Sequence, residues 1–150
     1  MTETVTIWNV LIYLVLFAIL TISIYTDWRY HKIYNKVTYI GILLGFILNS
    51  IQYGMDGFLS CCFSLTLALV FFLIFYLAHM IGGGDVKLIL AIAVLMNVFY
   101  AFAGLIISSI LAAIYGVFLW MRTKNTKAQI PYGIFIGIGF YLYQIIVWLN

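Results

Sequence analysis

Polar residues in this chain fall into short clusters separated by long apolar runs. The first run extends from Val5 to about Thr26 and gives way to Asp27-Trp28-Arg29-Tyr30-His31-Lys32-Ile33-Tyr34-Asn35-Lys36, the most polar stretch of the protein. A second run, from about Val37 to Ile51, ends in the cation-free turn Gln52-Tyr53-Gly54-Met55-Asp56-Gly57, and a third goes from Phe58 to Ile81. There the sequence Ile81-Gly82-Gly83-Gly84-Asp85-Val86-Lys87 interrupts it, and from Asp85 the chain runs 37 residues to Met121 in a continuing apolar pattern. The last run, Pro131 to Leu149, opens with Gln129-Ile130-Pro131-Tyr132-Gly133, where proline suits the first turn of a helix.

A hydrocarbon core takes about 20 helical residues to cross, so each run is read as a helix. The stretch between Asp85 and Met121 would measure roughly 55 Å if unbroken, too long for one crossing, and a break is expected near Asn97 to Tyr100. The pattern therefore predicts an all-α polytopic membrane protein. Its expected architecture is six transmembrane helices with a short fourth helix following the glycine stretch, all in one transmembrane domain over residues 1–150.

Composition agrees, with 67% hydrophobic residues, only 7% charged, and a mean hydropathy of +1.19, which leaves no room for a soluble surface or a separate soluble domain. Met1-Thr2-Glu3-Thr4 carries no Lys or Arg, so the first run is read as a permanent helix and not a secretory signal. The net charge of +3 is read as topology; no nucleic-acid partner is implied. With six crossings, Arg29, Lys32, Lys36, Lys87, Arg122, Lys124 and Lys127 share the cytoplasmic side and both termini lie outside. The adjacent Cys61 and Cys62 suit neither a zinc site nor an ordinary disulfide.

The candidate chemistry lies in two acids. An Asp in or at the edge of a bilayer costs roughly 2.5 to 3.5 kcal/mol at a helix centre, which makes Asp85 a functional candidate; its simpler reading is a helix cap. On the expected topology Asp27 and Asp85 share the cytoplasmic face, while Glu3 and Asp56 share the other. Two carboxylates brought together in a partly dry site share a proton, one then acting as base and the other as acid without a covalent intermediate or an obligatory metal. The sequence has no H-E-x-x-H zinc motif, no G-x-S-x-G elbow and no phosphate loop.

Asp27-x-Arg29-x-x-x-Ile33-x-Asn35-x-Val37-Thr38, together with Gly82-x-Gly84-Asp85-Val86-Lys87-Leu88, resembles the two signature regions of the type IV prepilin peptidases, membrane aspartic proteases of the GxGD type. Ile130-Pro131-Tyr132-Gly133-Ile134-Phe135 is similar to the entry of that family's last helix. The resemblance implies that Asp27 and Asp85 form the catalytic dyad, facing the cytoplasm, with Gly82, Gly84, Lys87, Arg29, Lys32, Asn35 and Pro131 supporting it or contacting substrate. It implies as substrate a pilin-like precursor with a short basic leader, a glycine before the cleaved bond and a hydrophobic helix after it, and it implies no cofactor. Three departures stand out: Tyr34 and Ile134 occupy positions where the family pattern has proline, and there is no CxxC region. A peptidase without methyltransferase activity is expected, similar to the short forms that serve Flp-type pili or archaeal flagellins.

Because the cytoplasmic acids are the proposed catalytic ones, a basic leader would lean on anionic membrane lipid, and Arg29, Lys32 or Lys87 would pair an acid on the mature side of the cut. Rival functions are an ion or proton transporter and a non-catalytic subunit of a pilus or secretion assembly. A transport path needs polar groups continuing to the far side, whereas both informative Asp residues sit at one edge. Simpler roles cover the rest. Lys87 reads as a snorkelling anchor, His79 as a packing residue, Trp8, Trp28, Trp120 and Trp148 as interface anchors, and Gly41 with Gly45 as a small-residue packing face. Gly137 and Gly139 are too close in sequence to share a helical face, and no role is assigned to them.

Overall fold

The computed structural model describes residues 7–79, 81–123 and 132–149. The apolar runs become helices: α1 (Ile7–Tyr30), α2 (Asn35–Leu77), α3 (Gly83–Leu95), α4 (Val98–Thr123) and α5 (Tyr132–Leu149). Met96 and Asn97 separate α3 from α4, and Asn97 Oδ1 accepts the Tyr100 N–H at 2.7 Å, capping an orphan donor at the start of α4. Pro131, Glu3, Lys124 and Lys127 lie outside the described residues.

The expectation of six transmembrane helices is corrected. Among the described residues there are five helices, and four are long and apolar enough to cross a membrane: Ile7–Tyr30, Asn35–Leu77, Val98–Arg122 and Tyr132–Leu149. One cause is that the second and third apolar runs are continuous in the 43 residues of α2, two helical arms that meet at a kink at Gly54 with no loop between them. The other is that α3 has 13 residues, about 20 Å of helix against a core of about 30 Å. The outside placement of both termini rested on the six-helix count and loses its support with it.

Helix α2 is not straight. Gly54, at φ 62° and ψ −136°, takes a backbone conformation that glycine enters without a Cβ penalty. The chain doubles back there: Gly57 lies against the Asn49 carbonyl, the Phe46 and Phe58 rings are 5.6 Å apart, and Cys61 Sγ comes within 3.8 Å of the Gly45 carbonyl oxygen.

The reversal builds a cradle for α3, which is buried nearly all round; Leu88, Ile89, Ala91, Ile92 and Ala93 are fully enclosed. Gly45 lets α2 come close enough that a Cβ there would stand 3.1 Å from the Leu95 backbone nitrogen, and Gly41 faces Ile19 and Ala91, in line with the expected small-residue packing face. The Asn49 amide then donates to the Val94 and Leu95 carbonyls at 3.1 and 3.2 Å, satisfying the end of α3 inside the apolar core. Helix α5 closes the bundle between α1 and α4: Gly137 packs on Ile24 and Gly139 on Ser108. The outward faces carry large apolar side chains such as Ile74, Leu77, Phe99, Ile106 and Met121, as a lipid-facing surface requires.

Replacing Gly54 with Ala is expected to lower stability by about 1 to 3 kcal/mol, measured as a shift of the denaturation midpoint in detergent. Nothing lies within 4 Å of a Cβ built at Gly54, so the loss would isolate the backbone conformation. An unchanged midpoint would show that the reversal does not depend on it.

Candidate active site

Asp27 reaches the interior because it continues the buried face of α1, where Leu16, Leu20, Ser23 and Asp27 follow one another at helical spacing. It is 7% exposed. Its carboxylate meets the start of the last helix: the Ile134 N–H, an orphan donor in the first turn of α5, donates to Asp27 Oδ2 at 3.1 Å. Gly133 makes the approach possible, since a Cβ there would stand 2.9 Å from Asp27 Oδ2 and 3.0 Å from Ile33 Cδ1. A helix N-terminus is a place where negative charge is stabilised.

Asp85 is held differently. It lies in the first turn of α3, outside the four candidate spans, one turn after the extended N-cap Gly82, whose backbone hydrogen-bonds to its carboxylate. The cap reading is therefore correct as local structure, in the manner of the returning half of a capping box. Burial nevertheless pushes the Asp85 carboxyl up from 3.8 to about 7; the charge of Asp27 adds to the rise, and the Gly82 hydrogen bond opposes it. Asp85 faces a cavity of 460 Å³ between Ile81 and Gly82 on one side and Ser109, Ala112 and Tyr132 on the other.

The two signature regions touch through Ile33, which is buried. Its Cβ would lie 3.3 Å from a Cβ at Gly84, and its Cδ1 packs at Gly133, so one side chain joins the polar segment, the glycine stretch and the start of α5. Lys87 does not turn towards the acids. Its Nζ donates to Asn35 Oδ1 at 3.0 Å and sits 5.4 Å from the centre of the Tyr39 ring, tying α3 to the start of α2. Arg29 and Lys32 are exposed and do not line the cavity, and Pro131 lies outside the described residues.

The structure thus brings together Asp27, Asp85, Gly82 and Gly84, pairs Lys87 with Asn35, and leaves Arg29 and Lys32 outside. Sequence reasoning missed the roles of Ile33, Gly133 and the Ile134 amide. Glycine after proline at a helix start was a usable signal for a close approach; the amide carries no side-chain signal at all. Ser109, a polar residue within the apolar run of α4, was a second usable signal.

The described residues form a helical bundle with an apolar outer surface, and two acids, Asp27 and Asp85, lie near the start of its enclosed helix α3. The model of the type IV leader peptidase family matches residues 14–117, more than half of the chain and both acids, and the chain belongs to that family. It is a leader-peptidase-like membrane protease. No curated protein and no solved structure matches the chain.

Since the charge of Asp27 adds to the effect of burial, Asp27→Asn is expected to lower the Asp85 pKa from about 7 without returning it to 3.8, because burial, the larger cause, remains. Carbon NMR of labelled aspartate across a pH titration measures this. An unchanged Asp85 titration would show that the two carboxyls do not interact.

Proposed function

We propose that this chain is an aspartic endopeptidase that removes the short basic leader from pilin-like precursors at the cytoplasmic face of the cell membrane. The observation that carries the proposal is that Asp85 lines a cavity while Ile33, packed on both Gly84 and the Gly133 that Asp27 approaches, brings the two acid-bearing segments together. The two carboxyls have unlike surroundings, which is how an acid and a base are set apart at one pH. Asp27, held by the Ile134 N–H, takes a proton from water as the water oxygen adds to the scissile carbonyl carbon, and protonated Asp85 gives its proton to the carbonyl oxygen. The tetrahedral adduct then collapses: Asp27 returns its proton to the leaving nitrogen, the C–N bond breaks, and Asp85 recovers a proton from the adduct hydroxyl.

The cytoplasmic orientation is supported by Arg29, Lys32, Lys36 and Lys87, which stand in or beside the segments carrying the two acids. Residues 31–34 alone join α1 to α2, and the chain has no CxxC, which supports a peptidase without methyltransferase activity. The reaction requires no cofactor, and the whole chain acts as one transmembrane peptidase domain.

The test is co-expression with pilin-like precursors and detection of a leader-sized mobility shift. Asp27→Asn and Asp85→Asn are each expected to reduce processing by about 100-fold or more. Full activity in either variant would exclude the shared-proton mechanism, and ion flux without proteolysis would restore the transporter reading. Because Asp85 acts as an acid, only its protonated form is productive, and kcat/KM is expected to fall as pH rises through about 7. A rate that keeps rising well above that pH would assign the proton elsewhere.

A further inference from the structure

The cavity in front of Asp85 has a second polar wall. Ser109 of α4 and Tyr132 at the start of α5 line it across from the carboxyl, and the other side chains around it are aliphatic. The two hydroxyls are hydrogen-bonded to each other at 2.9 Å. Ser109 differs in this from its neighbour Ser108, whose hydroxyl donates one turn back along its own helix to the Gly104 carbonyl at 2.7 Å, a common arrangement for a serine inside a helix. Among the described residues, the Ser109 and Tyr132 hydroxyls have no hydrogen-bond partner but each other.

Two hydroxyls carry two O–H donors, and one bond between them uses only one. The second donor is left in the cavity wall. If Ser109 donates to the Tyr132 oxygen, the phenol keeps its own O–H for the cavity, and accepting a bond makes it a stronger donor in turn. Phenols are also more acidic than aliphatic alcohols, which suits them to an oxygen that is gaining charge. Asp85, on the opposite wall, acts in its protonated form and brings a donor of its own. Two donors facing one space call for an acceptor between them. In this reaction that acceptor is the oxygen of the scissile carbonyl, which gains negative charge as water adds to its carbon.

We propose that Tyr132 is a third catalytic residue, its hydroxyl donating to the scissile carbonyl oxygen across from Asp85, and that Ser109 is a positioning residue that holds the phenol in that orientation. This rests on the peptidase reading above. No proton leaves Tyr132 at any step: the proton that reaches the carbonyl oxygen is that of Asp85, it returns to Asp85 when the adduct collapses, and the phenol supplies a hydrogen bond that strengthens as charge develops. The first turn of α5 then serves both acids, with the Ile134 N–H on Asp27 and the Tyr132 hydroxyl facing Asp85.

The test is steady-state cleavage of a pilin-like precursor by the full-length protein in detergent, with Asp27→Asn and Asp85→Asn as blanks. Tyr132→Phe keeps the ring and removes the hydroxyl, and it is expected to lower kcat about 100-fold with KM near wild type. Ser109→Ala is expected to lower kcat about tenfold, Ser109→Thr to restore it, and Ser109→Ala to add no further loss in the Tyr132→Phe background. Tyr141→Phe removes a hydroxyl bond of the same interhelical kind, to Thr21 at 2.6 Å and away from the cavity, and as the control it is expected to match wild type. A kcat for Tyr132→Phe equal to that of the control would overturn the proposal. A loss confined to KM would overturn it too, by making the pair a contact for the substrate backbone, and additive losses from the two substitutions would remove the positioning role of Ser109. The fall of kcat/KM through about pH 7 is expected to persist in Tyr132→Phe, because the transferred proton belongs to Asp85; its disappearance would make Tyr132 the acid and overturn the assignment. If wild type cleaves no precursor, the peptidase reading fails first and takes this proposal with it, whereas full activity of Tyr132→Phe beside inactive Asp variants removes the proposal alone.

Discussion

The structure depends on one hydrogen bond between distant parts of the chain, from the Ile134 N–H to Asp27 Oδ2. A carboxylate on the buried face of an apolar helix needs a donor, and here the donor is a main-chain amide at the start of the last helix. That requirement draws α5 against the end of α1 and leaves no room for a side chain at Gly133. It also brings Ile33 into the gap between Gly133 and Gly84, which sets the entry of α3 beside the same carboxylate. One capped acid thereby positions the other.

Helix α3 explains why the site lies where it does. Too short to cross a bilayer, it sits inside the reversal of α2, with its far end closed by the Asn49 amide and its near end opening at Gly82 and Asp85. Helix α3 is enclosed from Leu88 onward, whereas its first turn, with Gly82 exposed and Asp85 half-buried, faces the cavity. Burial pushes the Asp85 carboxyl up to about 7, and the nearest lysine in sequence, Lys87, is turned away to Asn35. The cavity opens where α4 and α5 leave space beside that turn, next to Ser109 and Tyr132.

Much of the helical class was legible because 67% hydrophobic residues in long runs allow little else, and length called for a break, expected near Asn97 to Tyr100 and found at Met96 and Asn97. The number of spans was not. A turn as polar as Gln52 to Gly57 reads as a loop, yet every residue but Gly54 keeps helical geometry, and 13 apolar residues read as part of a span when they form a buried core helix. At the site, the two acids stood out because acids are scarce, but the reason for Ile33 was hidden, since its value lies in touching glycines 51 and 100 residues away in sequence. Gly137 and Gly139 show the same limit. They do occupy different faces of α5, one against Ile24 and the other against Ser108, and each has its own neighbour to admit.

Lys87 gives the clearest case of spacing deciding chemistry. It stands two residues after Asp85, and with 3.6 residues per turn a step of two carries it to the opposite side of the helix. Its amine is engaged there by Asn35 and the Tyr39 ring. Had it followed by three or four residues, it would have shared the face of Asp85, and an ammonium beside that carboxyl would have lowered its pKa and removed the proton that an acid needs. The same lysine now ties the segment after Asp27 to the helix that carries Asp85, so the charge that would disable the pair at close range helps to hold its two halves together from behind.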